Sequence, residues 1–116
     1  MASRFIYHVC KRQEWNFAKE KGSYAGSSQD QADGFIHFSG SDQVRGSVAK
    51  HRAGQDNLIL IEVDAELLGD DLKWEPSKGG ALFPHLYADL SLATVVRTAD
   101  LNLGEGGKHQ FPDWLD

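Results

Sequence analysis

Hydrophobic and polar positions alternate along the chain in short blocks of two kinds. Phe5-Ile6-Tyr7-His8-Val9-Cys10 is β-branched and aromatic and predicts a first strand. Trp15, Ala18 and Gly22 recur at helical spacing, so residues 11–21 predict a helix that Gly22 stops. Residues 22–33 (GSYAGSSQDQAD) are polar and rich in Gly and Ser, and predict a long loop. Phe35–Ser39 predicts a second, short strand. Ser39 and Asp42 fit a capping pattern ahead of a second helix, on which Val44, Val48 and His51 share a face. Asn57–Val63 is almost continuously apolar, the mark of a strand covered on both sides. A helical turn over Asp64–Leu68 follows, then strand candidates at Leu72–Glu75, Phe83–Tyr87 and Ala93–Thr98. Phe83–Tyr87 reads equally as a turn fixed by Pro84. This order gives an α+β fold with two helices in the N-terminal half. One domain over residues 1–103 is followed by a tail, 104–116, that packs back through Phe111 and Trp114 or is partly disordered.

Composition narrows the functional classes. The 116 residues carry a net charge of −5. An acidic balance argues against DNA, RNA and anionic membrane surfaces as partners. Residues 1–58 hold 8 basic and 6 acidic side chains, whereas residues 59–116 hold 4 and 11. A small anionic ligand therefore sits more easily against the first half. The single cysteine, Cys10, leaves no internal disulfide and no cysteine-cluster zinc site. No apolar run approaches the length of about 20 residues needed to span a bilayer, and no secretory leader is evident, so a cytoplasmic setting is expected.

Candidate chemistry lies on the short strands. Side chains alternate across a strand, so His8 shares a face with Ile6 and Cys10, and His37 shares one with Phe35 and Ser39. If Ile36 and Phe38 turn to a core, His37 and Ser39 turn to a cleft. In the C-terminal half Glu75 follows Trp74, and His85 and Tyr87 share a face. A partly buried glutamate there would have a raised pKa and could serve as general base. No dinucleotide fingerprint, phosphate-binding loop, nucleophile elbow or HExxH zinc motif occurs. His8, His37 and His85 with Glu75 could alternatively gather around a divalent metal, as in a hydrolase.

The strings IYHV at 6–9, DGFIHFS at 33–39, WE at 74–75 and FPHLY at 83–87, with Trp15, Gly22, Tyr24 and DQV at 42–44, resemble the domain of unknown function nine-fifty-two, a family of bacterial and plant proteins. The resemblance covers about residues 4–101. YHV at 7–9 and IHFS at 36–39 also resemble, more distantly, the opening of the ADP-ribosyltransferase superfamily, nearest its RNA 2′-phosphotransferase branch. That resemblance implies a split pair of small, mostly antiparallel sheets enclosing a cleft for nicotinamide adenine dinucleotide (NAD). It implies that His8 binds the nicotinamide-side ribose, that His37 and Ser39 line the pocket, and that an aromatic such as Tyr24 or Tyr7 stacks on the nicotinamide. Tyr87 would join the ligand contacts, and Glu75 or His85 would fill the third, catalytic position. The alternatives are a binding module without catalysis on the same scaffold and the metal hydrolase.

Overall fold

A computed structural model describes residues 4–77 and 79–115. Among these residues three sheets form, all antiparallel. The first joins β1 (Phe5–Lys11), β4 (Leu58–Asp64) and β8 (Val95–Leu101) in the order β1-β4-β8. The second joins β3 (Ile36–His37), β6 (Leu82–Leu86) and β5 (Leu72–Pro76) in the order β3-β6-β5. A two-residue ribbon pairs β2 (Ser23–Tyr24) with β7 (Leu90–Ser91). The helices are α1 (Arg12–Lys21), α2 (Ser28–Asp33) and α3 (Val44–His51). The α+β class holds. Among the described residues no helix is long and apolar enough to cross a membrane.

The layers follow from strand alternation. Every residue of β4 is buried, because its two faces feed two cores. Ile59, Ile61 and Val63, with Ile6 and Cys10 of β1, meet Ile36 and Leu86 of the second sheet and Phe38 just after β3; Trp15 and Ala18 of α1 close this core. Leu58 and Leu60, with Tyr7 and Val9, meet Val44 and Val48 of α3 and Leu115 of the tail. The first sheet is thus the middle layer of three. Backbone hydrogen bonds between Tyr7 and Ser39, 2.8 Å in each direction, stitch β1 to the chain just after β3.

Two expectations need correction, and one open alternative is decided. The long loop at 22–33 instead contains β2 and a third helix, α2. Ser27 and Asp30 form a reciprocal capping box, and that local bonding is enough to nucleate one and a half turns. Ser39 does not cap α3, which begins at Val44 with Gln43 as its N-cap. The backbone of Ser39 is taken up by Tyr7, and Gln43 Oε1 accepts from Gly40 N at 2.8 Å instead. Phe83–Tyr87 is no mere turn: Leu82–Leu86 is the central strand of its sheet, where Pro84 has no N–H to give but its carbonyl accepts from Phe38 N at 2.9 Å.

The tail packs back. Leu115 is buried in the second core, and Arg45 donates to its carbonyl at 2.7 Å. The guanidinium of Arg97 lies 4.0 Å over the Trp114 ring and donates to the buried Glu62 at 2.8 Å, as does the Tyr7 hydroxyl at 2.7 Å.

Candidate functional site

The outer face of the β3-β6-β5 sheet carries the chemistry. Ile36, Pro84 and Leu86 turn inward, so alternation sends His37, Phe83 and His85 outward. Register then aligns His37 with His85 and His85 with Lys73, one residue from each strand in a row. The His37 and His85 ring centroids are 5.6 Å apart, edge to face. Phe35 stands among them, stacked on His85 at 4.2 Å and lying 4.5 Å from His37 and 5.2 Å from Tyr87.

Each histidine is held from behind by a carboxylate. His37 Nδ1 donates to Asp30 Oδ1 at 2.6 Å, and its Nε2 is 3.1 Å from Asp33 Oδ2. His85 Nδ1 donates to Glu75 Oε1 at 2.8 Å, and the Tyr87 hydroxyl donates to the same oxygen at 2.6 Å. The hydrogen bond and charge of Asp30 raise the His37 pKa, with Asp33 adding to it. Glu75 is held below its ordinary range by the hydrogen bonds from Tyr87 and His85. This corrects the expectation of a raised pKa: the side chain has solvent and two donors, not an apolar pocket, and it is a carboxylate at neutral pH. His37, Glu75 and Tyr87 are partly exposed and His85 less so.

The remaining candidates lie beneath this face. His8, Tyr24 and Ser39 are buried, with 4%, 2% and 6% of their surfaces exposed. The face of β1 that holds His8 with Ile6 and Cys10 is the one packed on the second sheet. His8 Nδ1 donates to the His37 carbonyl at 2.5 Å, and Nε2 accepts from the Tyr24 hydroxyl at 2.7 Å. Burial pushes the His8 pKa down, in keeping with a neutral ring whose two nitrogens have opposite roles. His8 is therefore a strut between the two sheets, ending directly under His37. Among the described residues, no group of three or more His, Cys, Asp or Glu side chains could hold a metal ion, so the metal hydrolase finds no ligand set.

Asp30, Asp33, Phe35 and Lys73 were not among the sequence candidates. Asp33 and Phe35 lay inside the DGFIHFS string, and Phe35 sits two residues before His37, on the same face. Asp30 lay in the presumed loop, where only the Ser27–Asp30 capping spacing marked it. A separate groove of about 530 Å³ runs along α1 and α2, lined in part by Phe17, Lys21, Tyr24, Gly26 and Gln31. His37, Glu75, His85 and Tyr87 do not line it.

Known proteins agree with this fold. The family model described as "Protein of unknown function (DUF952)" matches residues 9–98. The crystal structure of protein CC0527 from Caulobacter crescentus is 51% identical, with a TM-score of 0.87 over 91% of this chain and 93% of that one. The solution NMR structure of CC0527 is 50% identical, with a TM-score of 0.83 over 93% of each chain. No curated protein matches the chain.

Proposed function

The chain belongs to the DUF952 family, and from that premise we propose that the face built on Phe35, His37, Glu75, His85 and Tyr87 binds the nicotinamide end of an oxidised nicotinamide dinucleotide and cleaves its glycosidic bond. One observation carries the reading: two carboxylate-backed histidines converge on an aromatic platform. The nicotinamide ring of the oxidised dinucleotide is a cation. Aromatic faces and carboxylates attract such a ring, and Phe35, Tyr87 and Glu75 supply both. The first-strand and IHFS resemblances to ADP-ribosyltransferases point to the same ligand class.

Cleavage breaks the bond between the nicotinamide nitrogen and the ribose C1′. The electron pair leaves with nicotinamide, which becomes neutral, and positive charge develops on the ribose. The Glu75 carboxylate favours that charge in the transition state over the ground state. In its neutral form His85 donates Nδ1–H to Glu75, which leaves an Nε2 lone pair. That lone pair takes the proton of the water, or other acceptor hydroxyl, that bonds to C1′. His37, whose pKa Asp30 raises, orients a ribose hydroxyl by exchanging its exposed Asp33 contact for one to the ligand. His8, Tyr24 and Ser39 act from below by fixing the β1–β3 junction.

A second reading, binding without turnover, is favoured by the double engagement of Glu75 by His85 and Tyr87, which occupies the lone pairs of its inner oxygen. Calorimetry with the oxidised and reduced dinucleotides, paired with chromatography for released nicotinamide, decides among these. Binding of the oxidised form, weaker binding of the reduced form and release lost in Glu75→Gln support the enzyme. Binding without release supports the module. No heat with either dinucleotide or with ADP-ribose at millimolar concentration overturns both.

A further inference from the structure

We infer that Asp30 is a positioning residue for His37, fixing its ring and holding its Nδ1 proton in place through one carboxylate oxygen while the other oxygen caps α2. The inference rests on the proposed site's use of His37, though not on which ligand that site takes.

The two oxygens of Asp30 do separate work. Oδ2 accepts from the Ser27 amide at 2.8 Å, which is the capping box. Oδ1 accepts twice from His37, from the backbone amide at 3.2 Å and from Nδ1 at 2.6 Å. A helix cap alone needs only the first set, and an Asp buried to 3% exposure is costly unless its donors compensate. The chain is shaped around this carboxylate. Gly26 has φ +97°, and a Cβ there would come within 2.7 Å of Asp30 Cβ and 3.2 Å of Ile36 Cγ1.

The groups facing His37 come from four elements. Asp30 and Asp33 face it from α2 and His85 from β6, Glu75 of β5 stands behind His85, and His8 of β1 bonds the His37 carbonyl while its Nε2 lies 3.5 Å from Asp30 Oδ2. His8 is neutral, so it opposes the His37 charge little. Asp33 is exposed at the surface, which weakens its hold. Asp30 alone is both buried and directly bonded. Its own pKa is lowered to about 2: burial works to raise it, and the hydrogen bond from His37, the neighbouring His8 ring and the Ser27 and His37 amides more than offset that. A buried, permanently ionised acceptor keeps His37 Nδ1 protonated across the neutral range, so ring orientation and tautomer do not vary as Nε2 exchanges partners.

NMR titration of the histidine rings tests this without any ligand, using wild type, Asp30→Asn and Ser27→Ala. Ser27→Ala removes half of the same cap but leaves Oδ1 free to hold His37. The expected result is a downward shift of the His37 pKa in Asp30→Asn, with Ser27→Ala titrating as wild type although less stable. An unshifted His37 in Asp30→Asn, or equal shifts in both variants, overturns the inference. If Asp30→Asn does not fold, the wild-type ring ¹⁵N shifts decide. Nδ1 must stay protonated while Nε2 titrates, and the opposite tautomer refutes the proposal. A shifted His37 in a protein that binds no dinucleotide defeats the proposed ligand and leaves the role of Asp30 standing.

Discussion

His8 and His37 are separated by one hydrogen bond and carry opposite electrostatics. His8 is buried and its pKa is lowered, so below the ordinary value of 6.5 the unfolded chain binds a proton that the folded chain refuses. Stability from this group is therefore lost as pH falls below 6.5. The His37 pKa is raised by Asp30, so above 6.5 the folded chain holds a proton that the unfolded chain releases. That contribution is present below 6.5 and fades as pH rises through the folded value. The two limbs meet, and urea midpoints measured from pH 5 to 8 should peak near 6.5. His37→Gln should flatten the alkaline limb and leave the acid limb in place; an unchanged alkaline limb in that variant contradicts the assignment. A further loss is expected between about pH 4 and 2, as Asp30 protonates. Strand alternation made the sharing of faces by His8 with Cys10 and by His37 with Phe35 legible in the sequence. It could not say that the His8 face of β1 would be covered as fully as the Tyr7 face, because that cover comes from the β3-β6-β5 sheet, built largely from residues 72–86.

At the scale of elements, long periodic segments were legible and short ones were not. The strand at 57–63 differs from β4 by one residue at each end, because an unbroken apolar run in a chain this small has one natural place, between two cores. β2 and β7 have two residues each, too few to show a period. The S-x-x-D spacing occurs at both Ser27–Asp30 and Ser39–Asp42. It forms a cap in the first case only, since Tyr7 claims the Ser39 backbone in the second. Gly26 and Gly46 give a test of this reading. Gly46 lies in α3 with open space where a Cβ would stand, so Gly46→Ala should stabilise by up to about 1 kcal/mol. Gly26→Ala should destabilise by about 1–3 kcal/mol, because it combines a positive φ with a backbone position pressed against Asp30. Chemical denaturation measures both, and the same sign for the two variants would show that the 25–27 segment is not built around Asp30.

At the scale of the molecule, the site face is the outside of one layer and the tail closes the opposite layer. The His37–His85 row sits on a sheet whose inner side rests on β1 and β4. The other side of β1 and β4 rests on α3 and the last residues of the chain. Phe111 and Trp114, the tail anchors legible in the sequence, pack partly buried on the second core, while Leu115, which carries no pattern around it, is buried to 1% exposure. Truncating it removes apolar contacts within the second core, which it shares with Leu58, Leu60 and Val48 and which cannot refill from so short a tail. Leu115→Ala should therefore cost about 2–5 kcal/mol. Leu67 is 60% exposed in the turn after β4, so Leu67→Ala should change stability by no more than about 0.5 kcal/mol. The histidine titrations supply the second readout. Leu115 touches only the second core, with the middle sheet between it and His37. A destabilised Leu115→Ala that is still folded should keep the wild-type His37 titration. A shift there would mean that the two cores do not act as separate layers, and that the tail helps set the geometry of the site.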